Sequence, residues 1–262
     1  MRRRPLKVAT FNVNSIRKRL PTVLRWLDRQ GPDVLCLQET KVQDTDFPLL
    51  ELTAVGYQVA FRGMKAYNGV AVLSRTVPES VDYGLDDGAA PDEERLICTT
   101  IRGVPIINTY VPQGFKIDSP KYTYKLEWFR RLRAYFARHL SPTKPAIWCG
   151  DLNVAPEPLD VHHPEKHLTH VCFHEAVRRA YKETISWGFT DVFRKLHPNR
   201  QQYTFWDYRQ PSSVKANKGW RIDQILATAP LAVQCRRADV DLAPRKAANP
   251  SDHTFLWAEF LV

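Results

Sequence analysis

Asp151 and Asn153 are the residues of this sequence whose types and spacing first suggest chemistry. They follow an apolar run at 146–149 (AIWC) and Gly150. Residues two apart at a strand end point the same way, so a carboxylate and an amide oxygen would face one spot beside the glycine. Such a pair could ligate a hard cation, orient a nucleophilic water or cap the next turn. Taken alone, Asp and Asn after Gly are ordinary turn residues.

Further polar residues stand at the ends of other strand-like runs: Asn12, Glu39, Asp223, Asp252 and His253. Asp252 and His253 are neighbours, so their side chains would diverge on an extended chain and converge only in a loop. Oxygen ligands without cysteine suit Mg²⁺ or Mn²⁺ rather than zinc. Phosphate-ester hydrolysis needs such a metal, an acid that activates water, and an imidazole or cation for the developing charge.

A Pro- and His-rich loop over 155–172 follows the Asp151 motif. Its histidines invite comparison with a zinc site: His162, His163, His167 and His170. No cysteine pair accompanies them, and loops rich in Asp and Pro often carry stray histidines. We therefore do not predict zinc here.

An aromatic segment, 203–209 (YTFWDYR), ends in a cation and precedes Lys215, Lys218 and Trp220. Aromatic rings flanked by basic residues fit a flipped-out sugar in an apolar pocket, with phosphates held outside it. The alternative is a strand whose rings pack in the core.

The composition favours a soluble protein with a polyanionic partner. The chain has 262 residues, a formal net charge of +10 and 44% hydrophobic residues. The excess of positive charge favours nucleic acid or phosphorylated ligands. Residues 1–5 form a basic tail, but no apolar segment follows, so secretion and membrane insertion are not expected. The five cysteines fit buried thiols in a cytoplasmic protein, associated with the nucleoid if the host is bacterial.

The order of elements predicts an α/β (α+β) fold. Alternation and turn residues predict strands at 7–12, 34–38, 57–61, 70–74, 96–101, 105–110, 221–227 and 253–260. Helices are predicted at 20–30, from Pro120 with Ser119 as its N-cap, and at 174–187. Short turns between most strands favour two mixed or antiparallel sheets packed face to face, with helices outside. We expect one domain over 1–262, with strand ends at one rim building the site.

The helix from Pro120 carries its apolar residues on one stripe. Lys125, Arg130, Arg131 and Arg138 are predicted to form its solvated face.

Six motifs stand in order along residues 6–262: TFNVN, LQETK, NTYVPQG, GDLN, GWRID and SDH. Together they resemble the exonuclease III family of apurinic/apyrimidinic (AP) endonucleases, in the endonuclease/exonuclease/phosphatase superfamily. The resemblance implies a four-layer, DNase I-like αββα sandwich. It also implies a metal-dependent DNA-repair phosphodiesterase that cuts the backbone 5′ to abasic sites, with 3′→5′ exonuclease and 3′-phosphatase or phosphodiesterase activity.

The resemblance assigns roles by position. Asp151 would position or deprotonate the attacking water, and His253, oriented by Asp223, would stabilise the phosphate oxygen in the transition state. Glu39 would be the main metal ligand. The implied catalytic residues are Tyr110, Asp151, Asn153, Asp223 and His253. The implied metal residues are Asn12, Glu39, Asp151, Asn153, Asp252 and His253. The DNA contacts would be Arg95, Gln113, Lys116, Phe205, Trp206, Arg209 and Trp220.

The implied cofactor is Mg²⁺ or Mn²⁺, and the implied partner is double-stranded DNA with abasic sites or blocked 3′ ends, bound by a monomer. An alternative is a 3′-end-processing exonuclease with little AP endonuclease activity. A superfamily phosphatase acting on inositol phosphates or sphingomyelin is disfavoured by the WDYR and GWRID segments and by the positive charge. A catalytically inactive DNA-binding module is the remaining alternative, disfavoured because every catalytic position holds a competent residue.

Overall fold

The structure is a computed structural model that describes residues 4–210 and 212–262. Its strands are β1 (Pro5–Asn12), β2 (Val34–Gln38), β3 (Gln58–Arg62), β4 (Val70–Ser74), β5 (Ser80–Tyr83), β6 (Leu96–Ile101), β7 (Val104–Tyr110), β8 (Ile147–Asp151), β9 (Phe189–Asp191), β10 (Asp223–Thr228), β11 (Cys235–Asp241) and β12 (Phe255–Leu261). Its helices are α1 (Ile16–Gln30), α2 (Leu49–Ala54), α3 (Pro120–His139), α4 (Glu175–Ile185), α5 (Val192–Leu196) and α6 (Ala229–Ala232).

The strands form two six-stranded mixed sheets with the same plan. The first has the order β11-β12-β1-β2-β4-β3, and the second has the order β5-β6-β7-β8-β10-β9. In each sheet the central pair, β1 with β2 or β7 with β8, is parallel, and every other pairing is antiparallel. The predicted architecture of two mixed sheets flanked by helices is confirmed.

The inner faces of the two sheets bury a shared apolar core. Val8 and Cys36 from the first sheet pack in one cluster with Ile106 and Cys149 from the second. A polar contact crosses this core, because Gln38 Nε2 donates to Asn108 Oδ1 at 2.7 Å. Since both groups are buried, the bond holds the sheets in one relative position.

Helices cover the outer faces. Trp26 of α1 stacks on Phe255 of the first sheet, with ring centroids 4.1 Å apart. On the other side, Phe136 of α3 packs against Trp148 of β8. Ser119 caps α3 by accepting a hydrogen bond from the backbone N–H of Tyr122, as predicted. None of the helices in the described ranges combines the length and the apolar character needed to cross a membrane.

Some predicted boundaries are wrong. Helix α1 begins at Ile16 rather than at residue 20, so Pro21 lies inside it instead of in its first turn. Strands β5, β9 and β11 were not predicted. All four residues of β5 are exposed and β9 has only three residues, so neither segment carries the apolar alternation that predicts a strand.

Candidate active site

The carboxyl ends of the two central strand pairs meet at one rim of the sandwich. Asn12 ends β1 and pairs in register with Gln38, which Glu39 follows. In the second sheet Tyr110 ends β7 opposite Asp151 at the end of β8. Parallel neighbours necessarily end on the same side, which is why residues far apart in sequence lie together.

Asn12 joins the two sheets at this rim. Its Nδ2 donates to Glu39 Oε1 at 2.8 Å and to Asp151 Oδ2 at 2.9 Å. One amide therefore bridges two carboxylates from different sheets, which fixes their separation and disperses part of their mutual repulsion.

A second group of oxygen atoms lies beside Glu39. Lys41 Nζ is 2.6 Å from Glu39 Oε2 and 2.7 Å from Asn14 Oδ1, and Asn14 Nδ2 donates to Asp252 Oδ1 at 2.9 Å. Although burial opposes the charge, Lys41 and the Asn12 amide lower the pKa of Glu39. The ammonium thus occupies a position where carboxylate and amide oxygens converge on a cation.

Asn14 and Lys41 were not among the predicted site residues. A signal for Asn14 was available, because Asn12 and Asn14 repeat the alternate spacing of Asp151 and Asn153. Lys41 had no pattern of its own.

Asp223, His253 and Asp151 form a buried chain. His253 Nδ1 lies 2.8 Å from Asp223 Oδ2, and its Nε2 lies 3.7 Å from Asp151 Oδ2. Burial opposes the imidazolium, but Asp223 and Asp151 together raise the pKa of His253 to about 10. His253 is therefore a cation at neutral pH, with its Nε2–H directed toward Asp151.

Asp151 is almost completely buried at the rim. Burial raises its pKa to about 7, with a contribution from Asp223 that the charge of His253 opposes. A carboxylate with a pKa near neutrality can both accept and release a proton under physiological conditions.

Gly150 is required for Asp151 to reach this position. Its φ is +137°, and a Cβ at this residue would lie 1.9 Å from the Thr109 carbonyl oxygen. Asn153 then turns back with a φ of +49°, and its Nδ2 donates to the Val111 carbonyl at 2.9 Å. The side chains of Asp151 and Asn153 converge as expected, because Asn153 Nδ2 lies 3.4 Å from Asp151 Oδ2. Asp151 also caps the turn, since its Oδ1 accepts from the backbone N–H of Asn153 at 3.0 Å.

Tyr110 borders the acids. Burial raises the pKa of its hydroxyl well above the ordinary value, and Glu39 and Asp151 raise it further. It therefore remains a protonated hydrogen-bond donor. The guanidinium of Arg95 lies over its ring, 4.8 Å from the centroid.

A cavity of about 600 Å³ opens beside the chain of acids and His253. Phe205, Trp220 and Ile222 supply apolar walls, and Asp151, Asn153 and His253 lie at one side. Phe205 pairs with both Trp220 and His253 through isolated β-bridges, so the apolar wall and the imidazole are tied together. Ile222 was not among the predicted site residues, and no motif distinguished it from an ordinary strand residue.

Trp206, predicted to line this cavity, lies elsewhere. Its ring is buried and packs edge-on against Tyr203, with centroids 6.2 Å apart. Since alternate residues of an extended segment face opposite sides, Phe205 and Trp206 cannot both face the cavity.

The remaining predicted DNA contacts surround the cavity. Gln113 and Arg209 line its mouth, whereas Arg95 lines an adjoining depression. Lys116 is exposed on the loop before α3. Arg209 forms an ion pair with Asp207, two residues earlier in the chain, and its Nη2 lies 2.9 Å from Asp207 Oδ2.

Lys125 is not on a solvated face, and that prediction is wrong. Its Nζ is buried and donates to the carbonyls of Gln113, Asn153 and Val171 at 3.1, 2.6 and 2.8 Å. Three loops around the cavity are therefore held by one ammonium. Arg131 of the same helix is also buried, where it binds Asp87 through two bonds.

Comparison with known proteins decides the family. The model of the endonuclease/exonuclease/phosphatase family matches residues 9–253. The chain is 31% identical to exodeoxyribonuclease III of Haemophilus influenzae, over 97% of this chain and all of that one. The chain belongs to the exonuclease III family of this superfamily. The predicted family and the prediction of an enzyme are confirmed.

Two solved structures support the fold. An AP endonuclease from Archaeoglobus fulgidus is 54% identical with a TM-score of 0.96, covering 98% of this chain and 100% of that chain. A 3′-5′ exonuclease from Neisseria meningitidis is 36% identical with a TM-score of 0.95, with the same coverage. An AP endonuclease and a 3′-5′ exonuclease therefore both share the fold of this chain over almost its whole length.

The acidic and histidine residues of this family member can hold a metal ion. Asp151, Asp223 and His253 present ligand atoms within 4.8 Å of one another. The oxygens of Glu39 and Asn14 form a second candidate, because they already hold the Lys41 ammonium.

Proposed function

We propose that this protein is a DNA-repair phosphodiesterase that cuts the backbone 5′ to abasic sites, with 3′→5′ exonuclease and 3′-phosphatase or phosphodiesterase activity. The observation that carries the proposal is the Asp223–His253–Asp151 chain beside an apolar cavity walled by Phe205, Trp220 and Ile222. A base-free sugar fits an apolar wall, and its phosphate then reaches the polar side.

Asp151 acts as the base. Its pKa near 7 lets it take a proton from a water held between its carboxylate and Asn153. The attacking oxygen then approaches the phosphorus from the Asp151 side.

His253 stabilises the charge that grows on the phosphate oxygens. Asp223 fixes the ring through Nδ1, so Nε2–H is aimed at the reacting group. The protonated Tyr110 hydroxyl donates to another phosphate oxygen, since burial, with Glu39 and Asp151, raises its pKa and keeps it from ionising.

The oxygen-rich half of the rim fits Mg²⁺ or Mn²⁺. Glu39 would be the main ligand, with Asn12, Asn14 and Asp252 nearby and Lys41 moved aside. Asp151, Asn153 and His253 extend the set of candidate ligands toward the position of the phosphate. A bound divalent ion neutralises phosphate oxygens and stabilises the leaving oxygen.

The substrate is double-stranded DNA with abasic sites or blocked 3′ ends, bound by a monomer. Arg95, Gln113, Lys116 and Arg209 surround the cavity and would contact phosphates or neighbouring nucleotides. The zebrafish DNA repair nuclease APEX1, 32% identical over 95% of this chain and 80% of its own, supports a role in repair. We expect such an enzyme in the cytoplasm, associated with the nucleoid if the host is bacterial.

A gel assay tests the proposal. A labelled duplex with one abasic analogue is incubated with Mg²⁺ or EDTA beside an intact duplex. We expect metal-dependent incision 5′ to the lesion and slower shortening of intact 3′ ends. Binding of either duplex without cleavage would refute the proposed enzyme.

A 3′-end-processing exonuclease with little AP endonuclease activity is the second candidate. The 3′-5′ exonuclease from Neisseria meningitidis, 36% identical to this chain, is the reason to test it, because the shared fold does not distinguish the two activities. Trimming of 3′ ends without incision at the abasic analogue would select this alternative.

A further inference from the structure

His162 and His167 form a histidine pair on the loop between β8 and α4, at the mouth of the cavity. Their Nε2 atoms lie 3.3 Å apart, and their ring centroids are separated by 4.7 Å. Both residues line the cavity together with Trp220, which lies 4.8 Å from the His167 ring. The proposed hydrolysis of DNA assigns no role to this pair.

The orientation of the His162 ring is fixed by a backbone carbonyl on the side away from His167. Its Nδ1 lies 3.1 Å from the carbonyl oxygen of Gly219, which only an Nδ1–H can approach as a donor. The Nε2 of this tautomer therefore carries a lone pair directed at His167. A backbone carbonyl bonded to the far nitrogen is the usual support of a metal-ligating histidine.

Both rings are available as neutral ligands. Burial lowers the pKa of His162 and of His167, and nearby imidazoles lower it further. Metal binding needs this unprotonated form, so protons do not compete strongly at neutral pH.

The spacing of the two nitrogens matches a chelate. Two nitrogens bound to zinc at about 2.0–2.1 Å with a tetrahedral angle are separated by about 3.3–3.4 Å. We propose that His162 and His167 together bind a transition-metal ion such as Zn²⁺ at the cavity mouth, apart from the oxygen-rich rim. Imidazole nitrogens prefer such ions, whereas Mg²⁺ prefers oxygen.

The site is open rather than closed. Across the described residues, the one group of three His, Cys or carboxylate ligands close enough to share an ion is Asp151, Asp223 and His253. The histidine pair thus supplies two ligands, and water or a phosphate oxygen in the cavity completes the coordination. Two-ligand binding is correspondingly weaker than in structural zinc sites.

The test is calorimetric titration of the full chain with Zn²⁺, with Mg²⁺ in large excess to occupy the oxygen-rich rim. We expect one Zn²⁺ per chain, with affinity lowered on the order of tenfold or more in His162→Ala and in His167→Ala. His163→Ala is the matched control, because His163 is exposed and faces Glu165 at 3.5 Å. It should bind Zn²⁺ as the parent does.

Two further measurements distinguish loss of metal binding from loss of folding. His167→Gln keeps a polar side chain but lacks the imidazole, so a folded His167→Gln protein should show the same loss. Ni²⁺ should quench tryptophan fluorescence in the parent, through Trp220, and much less in this variant. Equal affinity in all variants, or equal loss in His163→Ala, would overturn the proposal, leaving the 3.3 Å contact as a hydrogen bond between two imidazoles.

Discussion

At the scale of single residues, the site depends on three charged groups that are buried from solvent and therefore interact strongly with one another. Asp223 and Asp151 lie on either side of His253, so the imidazolium is stabilised twice while each carboxylate has one cation. Burial, which the charge of His253 opposes only in part, leaves Asp151 with a pKa of about 7. The same geometry supports the separate roles that we propose, in which Asp223 orients His253, His253 stabilises the developing charge and Asp151 exchanges a proton.

Asp151→Asn should reduce turnover of abasic DNA by about 10²–10⁴-fold, because an amide cannot accept the proton of the attacking water. Binding should change little, since phosphate contacts and the apolar cavity are left in place. Single-turnover kinetics and a binding titration measure the two effects. Asp239→Asn, a change on strand β11, is the control and should retain full turnover; near-normal turnover in Asp151→Asn would remove Asp151 from the mechanism.

The pH dependence of kcat/KM should reflect the titration of Asp151 and His253. Asp151 must be unprotonated and His253 protonated, so kcat/KM should rise toward pH about 7 and fall above about 10. A bound divalent cation favours the carboxylate and shifts the acidic limb downward. His253→Gln should lose the alkaline limb in single-turnover measurements, and an unchanged limb would assign it to another group.

At the scale of elements, the segment from Tyr203 to Ile222 positions the cavity wall. Arg221 anchors it from inside, because its Nε and Nη2 bind Asp160 at 2.7 and 3.0 Å and its Nη1 binds Asp191 at 2.6 Å. A fully buried guanidinium with two carboxylates holds the adjacent Trp220 and Ile222 in place. The cavity wall is thus rigid although it lies outside the long strands.

Trp220→Ala should weaken discrimination between abasic and intact duplex, since the cavity loses one wall. The measured quantity is the ratio of dissociation constants for the two duplexes. Trp257→Ala, a partly buried tryptophan of β12 that packs near Lys7, is the control and should keep the ratio. An unchanged ratio in Trp220→Ala would place the sugar elsewhere.

Lys125→Met should lower the free energy of unfolding by about 2–4 kcal/mol, because three buried carbonyls lose their donor. It should also lower turnover, since the Asn153 backbone is no longer held. Urea denaturation and single-turnover kinetics measure both. Arg130→Met, at an exposed position on the same helix, should change neither stability nor turnover. A fully stable Lys125→Met protein would contradict the role of Lys125 in holding the three loops.

Helices and strands can be predicted from the sequence where a buried face produces a periodic pattern of apolar residues. The central strands β1, β2, β7 and β8 are apolar runs with a polar residue at their ends, so both the sheets and the rim could be predicted. Lys125 could not, because nothing in its helical position distinguishes a buried ammonium from a solvated one. Trp206 failed for a related reason: composition marks an aromatic segment, whereas the side each ring faces depends on the pairing of Phe205 with Trp220 and His253.

At the scale of the whole molecule, the two sheets contribute equally to one rim. The first supplies Asn12 and Glu39, and the second supplies Tyr110 and Asp151, at equivalent ends of the two parallel pairs. The Gln38–Asn108 bond joins the two sheets directly beneath these residues, because Gln38 precedes Glu39 and Asn108 lies two residues before Tyr110. We infer that the chain acts as one catalytic domain, because neither sheet holds a complete site.

The net charge of +10 should make DNA binding strongly dependent on salt. Release of counterions from about five phosphates would lower affinity about 10²–10³-fold between about 50 and 200 mM salt. Fluorescence anisotropy with a short duplex measures the slope. A slope near zero would show that the positive residues do not contact phosphates, and Lys116→Ala should reduce the slope by about one.

The position of β12 has a consequence for how the protein is made. This strand, near the end of the sequence, lies inside the first sheet between β11 and β1, and His253 stands two residues before it. Synthesis must therefore pass residue 261 before β1 gains its second neighbour and the imidazole is held beside Asp151. A nascent chain that stops before β12 lacks His253 at the rim, so we expect no DNA cleavage until this strand has been added.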